Sequence, residues 1–186
     1  AKLKKLQREC VLLDDDIRWL VALISDSGMR LSEAVGLLVD DIVLDAEQPH
    51  ITLIKHPHRR LKTDASERVI PLVGASLWAA RRIKENTPSR FCFSRYCSED
   101  NCNSNSASAA INKWIKTIVG SEAVIHGLRH GFRDRLRAVE APVDMIDQLG
   151  GWSLRSVGQG YGDGYPLQNL EQWMRKIETF SHDALT

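Results

Sequence analysis

The sequence predicts an α+β domain, mostly helical, with one small antiparallel β-sheet at its edge. Apolar residues recur at the 3.6-residue helical period in several stretches, as with Leu128, Phe132, Leu136 and Val139. Between Asp41 and Leu72 that period lapses into short β-prone runs set among charged or turn-rich segments. Length sets the scale: 186 residues fit one domain, with enough chain for a sizeable core.

In chain order, Asp14 to Ser25 reads as an amphipathic helix, acidic at its start, with Ile17, Leu20, Val21 and Ile24 on one face. Ser27-Gly28 should break it. Met29-Arg30 then falls in a turn, and Ser32 is placed to cap a second helix carrying Glu33, Leu37 and Leu38. The helix dipole favours Glu33 in a first turn, where its carboxylate can also brace a neighbouring arginine. Ile42 to Leu44, Ile51 to Ile54 and Arg68 to Ile70 read as strands. The hairpin tip HPHRRLKTDASE, which carries Lys62, looks too polar to be core.

Ala75 to Lys84 returns to helix and Pro88 marks its end. Arg90 to Ser108, rich in Ser, Asn and Cys, reads as a surface loop. Ala109 to Val119 is the next helix, with Ile111, Trp114, Ile115 and Ile118 inward. A central helix starts at His126 and breaks at Ala141-Pro142. Val143 to Leu149 follows as a short helix stopped by Gly150-Gly151. After Pro166, about Leu167 to Phe180 forms a last amphipathic helix whose stripe is Leu170, Trp173, Met174 and Ile177. That stripe needs burial, either on its own domain or on a neighbouring copy.

Composition excludes several classes. No apolar run approaches the roughly 18 residues of a membrane span, and no secretory signal is visible. Cysteines at 10, 92, 97 and 102 lack the paired short spacing of zinc sites. Reduced structural thiols are therefore expected, with no metal and no cofactor. Net charge is +1, but it is unevenly placed. Lys55 to Arg68 holds five Lys/Arg against two acids, and His126 to Arg137 four Arg against one Asp. Acids gather at Asp14 to Asp16 and Asp40 to Glu47, so a basic face can form on a near-neutral protein. An ordinary solvated face would look similar. The chain opens on Ala1 rather than Met, which reads as a piece of something longer.

Reactive groups concentrate between His126 and Tyr161. His126 and Arg129 lie three residues apart at a helix start. Trp152 follows, then Tyr161 among Gly158, Gly160, Gly162 and Gly164. Cleaving DNA without metal or nucleotide needs a nucleophile for phosphorus, cations on the non-bridging oxygens and an acid for the leaving oxygen. Arginine suits the clamp, because its planar fork bonds two phosphate oxygens and keeps its charge. Tyrosine, with an ordinary pKa of ~10, needs a base or strong phosphate activation. Tyr165 is the rival nucleophile. Tyr96 sits in the loose segment.

At these residues the chain resembles the tyrosine recombinase, or phage integrase, family, over about Asp14 to Phe180. Ser27-Gly28-Met29-Arg30-Leu31-Ser32-Glu33 is similar to its Gly-x-Arg-x-x-Glu box. His126-Gly127-Leu128-Arg129-His130, Leu149-Gly150-Gly151-Trp152 and Tyr161, nine residues past the tryptophan, resemble its second box. Lys62-Thr63 with Ser66, Arg68 and Val69-Ile70-Pro71-Leu72 resembles its lysine-bearing hairpin. Two features depart from the pattern. The family often has histidine where Trp152 stands, and the residues before Tyr161 are more glycine-rich than its usual Ser/Thr-rich run.

The resemblance implies that Arg30 and Arg129 clamp the scissile phosphate and that Lys62 protonates the departing 5′-oxygen. His126 would assist proton transfer, Trp152 would donate its N–H to a phosphate oxygen, and Tyr161 would attack to form a 3′-phosphotyrosine link. Resealing then needs neither ATP nor metal. Glu33 would support the arginines, His130 would pack behind the site, and Arg59 and Arg60 are candidate DNA-binding residues. The whole chain, 1–186, is expected to be one catalytic domain, with a core of about 14–165 and a last helix that docks in cis or in trans. The family's separate N-terminal DNA clamp is expected to be missing, and this chain's own DNA affinity to be weak.

By the same resemblance the substrate is double-stranded DNA of a phage or other mobile element. The assembly is a homotetramer on DNA, with room for accessory DNA-bending or directionality proteins. The location is the cytoplasm of a bacterial host, with the nucleoid. Two alternatives stand beside this reading: a type IB topoisomerase-like enzyme, with the same chemistry but no strand exchange, and a catalytically inactive DNA-binding relative.

Overall fold

A computed structural model of the chain describes residues 1–152 and 163–180. It begins with a helix not anticipated from the sequence, α1 (Lys2–Leu13). The apolar stripe of α1 is narrow: Leu6 and Cys10 are buried one turn apart, and polar Gln7 is buried beside them. Gln7 is satisfied there by donating to Ser25 Oγ at 3.0 Å and to Asp26 Oδ2 at 2.9 Å.

The next helix, α2 (Asp16–Ser27), is the hub of the fold and is buried from Trp19 through Ser27. The side chain of Asp15 caps it by accepting from the Arg18 amide. It ends at Gly28, where φ is +65°, a turn that glycine adopts without strain. Helix α3 (Leu31–Val35) follows at once. Its cap is Arg30 rather than the expected Ser32, because Glu33 reaches back to accept from the Arg30 amide at 2.9 Å.

The predicted sheet is present, antiparallel and in sequence order: β1 (Ile42–Val43), β2 (His50–Leu53) and β3 (Arg68–Pro71). The register pairs Ile42 with Ile51 and Ile51 with Ile70, so one face buries Ile42, Ile51, Leu53 and Ile70. The β2–β3 tip departs from its expected polar exterior. His58 and Arg59 are only 6% and 4% exposed, because backbone carbonyls of the α3 region accept from them.

Helices α4 (Gly74–Asn86), α5 (Ser104–Val119), α6 (Ile125–Ala138) and α7 (Val143–Gly150) complete the core, with α1, α4 and α6 packed on α2. The 90–103 segment is not the surface loop expected, since Phe91, Cys92, Phe93 and Cys97 are buried in it. The expectation of reduced thiols also fails in part. A tight turn brings Cys97 opposite Cys102, with Cα atoms 4.2 Å apart, and the two are disulfide-bonded. Cys10 and Cys92 are free and buried, and burial pushes both thiols up.

Helix α8 (Leu167–Arg175) packs on β3 of the same chain and buries Leu170 and Met174, with Ile177 just beyond it. The following residues return across α2. Arg135 donates to Asp26 at 2.9 Å and to the Ile177 carbonyl at 3.0 Å, and Thr179 donates to Gln7 at 2.9 Å. Among the described residues no helix is long and apolar enough to cross a membrane.

Candidate active site

The site is organised by a close approach at the end of α2. A Cβ on Gly28 would lie 2.3 Å from the Phe132 ring, so only glycine lets α6 settle there. Phe132 is fully buried at that contact; burying such a ring contributes roughly 1.5–3 kcal/mol. Arg129, one turn earlier on α6, is thereby brought over the same turn, and its Nη1 donates to the Gly28 carbonyl at 2.7 Å. Arg30 stands two residues past Gly28, so both predicted clamp arginines come from one junction.

A single buried carboxylate braces the arginines. Arg30 Nη1 donates to Glu33 at 2.7 Å and to Ser66 Oγ at 3.2 Å, and its Nη2 donates to the Gly151 carbonyl at 3.3 Å. Arg68 donates to Glu33 Oε2 at 3.0 Å, to the Ser66 carbonyl at 2.7 Å and to the Leu149 carbonyl at 2.8 Å. The negative end of α7 is thus held by two guanidiniums. Burial pushes the Glu33 carboxyl up, but the charge of Arg68 and the hydrogen bonds from Arg68 and Arg30 outweigh it. The net effect holds Glu33 below its ordinary 4.5. Both guanidiniums are thus held by one carboxylate.

Arg129 is 3% exposed, and its Nη2 is buried without a hydrogen-bond partner among the described residues. Its guanidinium lies 4.2 Å from the centre of the Trp152 ring, and Arg133 lies 4.8 Å from the same ring. Burial, joined by the charges of Arg30, Arg68 and Arg133, pushes Arg129 down to about 9, against the pull of Glu33. An unused donor on a buried cation costs about 1–3 kcal/mol, and a bound anion would remove that cost. Trp152 is fixed beneath it: its ring crosses Gly150 so closely that a Cβ there would sit 1.6 Å from the indole.

The proton-transfer candidates are placed differently. His126 and His130 both lie on the exposed face of α6, rings edge-on with centroids 4.6 Å apart. His130 therefore does not pack behind the site, because the one-turn spacing puts it beside His126. Burial lowers the pKa of His126, and the charges of His130, Arg129, Arg30 and Lys62 lower it further below the ordinary 6.5. That direction favours the neutral ring, the form able to accept a proton. Lys62 is exposed on the hairpin and has no hydrogen-bond partner among the described residues.

Arg60 is exposed, as a DNA contact requires, but Arg59 is not. Its guanidinium turns inward onto the carbonyls of Glu33 and Ile54, which corrects the expectation that it is a DNA-binding residue. Tyr161 and the glycine-rich run before it lie outside the described residues. The rival Tyr165 is tied down: its hydroxyl donates to the Asp144 carboxylate at 2.9 and 3.1 Å, and that bond raises its pKa.

Two site residues were missed from the sequence, Arg68 as the second partner of Glu33 and Arg133 against Trp152. Strand parity puts Arg68 on the face of Ile70, and Arg133 follows Arg129 by one helical turn, so each had a signal. Among the described residues no group of three or more His, Cys, Asp or Glu is placed to hold a metal ion.

The model of the Phage integrase family matches residues 4–165. No curated protein matches the chain. Among solved structures, the XerH site-specific recombinase bound to difH substrate, a pre-cleavage complex, is 16% identical with a TM-score of 0.59, covering 98% of this chain and 50% of that one. Its post-cleavage complex with palindromic difH substrate gives the same identity and TM-score over 94% and 48%. The Tn1549 transposon integrase in complex with transposon right end DNA is 14% identical, TM-score 0.51, over 90% and 56%. These likenesses are of fold. The chain spans about half the length of the XerH chains it matches.

Proposed function

The chain belongs to the phage integrase family, and from that premise we propose that it cuts and rejoins DNA strands through a covalent 3′-phosphotyrosine link made by Tyr161. The observation that carries this reading is Arg129, a buried guanidinium with one unused donor beside Arg30. Arg30 and Arg129 hold the non-bridging oxygens and neutralise the charge that builds on them in the transition state. Preorganised donors of this kind commonly supply the largest share of rate enhancement.

In the forward step the Tyr161 oxygen forms its bond to phosphorus as the bond to the 5′-oxygen breaks. His126, whose charged form is disfavoured by the cations around it, accepts the tyrosine proton, and Lys62 gives a proton to the leaving 5′-oxygen. Attack by a 5′-hydroxyl reverses each transfer and reseals the strand, so the phosphodiester's energy is kept in the protein–DNA bond. Trp152 supports the clamp by stacking under Arg129. In the cell this reaction would serve integration or excision of a phage or other mobile element. It would run in a homotetramer on DNA, in the cytoplasm of a bacterial host, with accessory DNA-bending or directionality proteins.

The test is a nicked suicide duplex, from which the short strand beyond the cut diffuses away and traps the intermediate. The wild-type protein at its full natural length should give a covalent protein–DNA band that Tyr161→Phe abolishes. A band that survives Tyr161→Phe and disappears in Tyr165→Phe would move the nucleophile, and no band on any duplex would overturn the reading.

A further inference from the structure

We propose that Arg59 is a positioning residue for Lys62, fixing the first half of the β2–β3 connection so that the lysine is presented to the cleavage site; this rests on the general-acid role given to Lys62 above. The connection would otherwise be a long polar excursion with nothing to hold its tip. Instead, three of its side chains reach down onto α3 and the turn that follows it. The His56 ring bonds the Asp41 carboxylate at 2.9 and 3.0 Å, and the His58 ring bonds the Gly36 carbonyl at 2.9 Å. The two imidazoles stack, with centroids 5.2 Å apart, and His58 sits edge-on to Phe91.

Arg59 is the innermost of the three. Its Nη1 donates to the Glu33 carbonyl at 2.9 Å and its Nη2 to the Ile54 carbonyl, so one guanidinium links the helix that braces Arg30 to the end of β2. Its aliphatic stem lies directly on Gly36, where an added Cβ would come within 2.3 Å of Arg59 Cδ. Its backbone amide closes a turn onto the His56 carbonyl at 3.1 Å. A cation this deeply buried without a carboxylate in hydrogen-bond contact is unusual, and spanning two carbonyls with a planar fork is a task lysine cannot perform.

The far side of Lys62 has its own anchor. Ser66 Oγ accepts from the Thr63 amide at 3.3 Å and from Arg30 Nη1 at 3.2 Å, which ties the residue after Lys62 to the phosphate clamp. Only Arg60, Leu61 and Lys62 lie between Arg59 and Thr63, the residue that Ser66 ties down. Lys62 is thus suspended between Arg59, bonded to Glu33's backbone, and Ser66, bonded to the arginine that Glu33's side chain holds. The reach of the ammonium is set by the same short helix that sets the clamp. Loss of either anchor should free the lysine without removing it.

The experiment is single-turnover cleavage by the full-length protein of a nicked duplex chosen from sequences that the wild type captures covalently, made in two forms. One carries the normal 5′-oxygen at the scissile phosphate and the other a bridging sulfur, a leaving group that needs no proton. Lys62→Ala should cleave the oxygen duplex about 10²-fold more slowly and the sulfur duplex within about threefold of wild type. Arg59→Met should show the same pattern at about tenfold, Arg59→Lys should not restore the oxygen rate, and His58→Phe, which removes the neighbouring bond to the Gly36 carbonyl without touching Arg30, should show the pattern in milder form, which keeps the test open if Arg59→Met folds poorly. Equal losses on both duplexes for Arg59→Met and His58→Phe, with Lys62→Ala still rescued by sulfur, would make the anchors merely structural and overturn this inference alone. Failure of sulfur to rescue Lys62→Ala would overturn the general-acid role and this inference with it.

Discussion

Arg30, Arg68 and Arg129 reach partners on α3, the Ser66 turn, the end of α7 and the Gly28 turn, whereas Lys62, His126 and His130 stand exposed, the two imidazoles edge-on to each other. The contrast fits what the proposed function asks of each group. A guanidinium keeps its charge through the reaction, so burial against carbonyls and one carboxylate fixes its direction without changing its state. A general acid or base must change charge, and deep burial drives an imidazole or ammonium several units from where it is useful. Folding therefore completes the braced arginine half, while Lys62 and His126, the groups proposed to move protons, stay near the surface.

The largest effect should come from removing the carboxylate at the centre of the braced half. Glu33→Gln leaves Arg30 and Arg68 without their buried counter-charge and should cost about 3–5 kcal/mol in chemical denaturation, a large part of a typical domain's stability. The pH dependence gives the sign. The folded pKa of Glu33 lies below its ordinary 4.5, so its contribution is present above that value and lost as pH falls through the depressed one. The variant should accordingly lose part of the wild type's acid sensitivity. A loss under about 1 kcal/mol would break the contrast, because the braced half would then not need its brace.

Lys62→Ala probes the other half. It should leave stability within about 0.5 kcal/mol, as for an ordinary surface change, while cleavage falls about 10²-fold or more. A large stability loss would show that Lys62 is held by contacts as the arginines are.

The smallest effect is a titration. In the DNA-free protein the His126 ring, followed by nuclear magnetic resonance, should titrate below 6.5, since burial leads and His130, Arg129, Arg30 and Lys62 add to it. Lys62→Ala should move the midpoint upward, as should an oxyanion bound at the arginines, whose charge opposes theirs. A midpoint above 6.5 in the free protein would remove the case for a neutral base.

Much of this arrangement is legible in the chain, and the remainder has physical reasons for being hidden. The helices from α2 onward announce themselves through apolar periodicity, and Gly28 and Gly151 stop theirs because both take positive φ. Helix α1 escapes notice because only Leu6 and Cys10 mark its buried face and polar Gln7 completes it. Arg59 and His58 read as surface because composition reports only that a tip is polar. What buries them is a row of carbonyls from a segment some twenty residues earlier in sequence, which no local pattern reveals. Arg30 and Arg129 stand out in their motif boxes, but their convergence on the Gly28 turn depends on the Phe132 contact, a tertiary event. The Cys97–Cys102 bond likewise depends on a turn that spacing alone does not declare.

The central claim is that the arginine half is assembled before DNA arrives, and guanidinium N–H relaxation in the DNA-free protein addresses it directly. Arg68 and Arg129 should give sharp, slowly exchanging side-chain N–H signals with order close to that of the backbone, while the Lys62 ammonium should show fast motion. Adding cleavable duplex should change the lysine far more than the arginines. If the Arg68 and Arg129 signals are as mobile as Lys62 without DNA and become ordered only when it binds, the clamp is made by the substrate and the account is wrong.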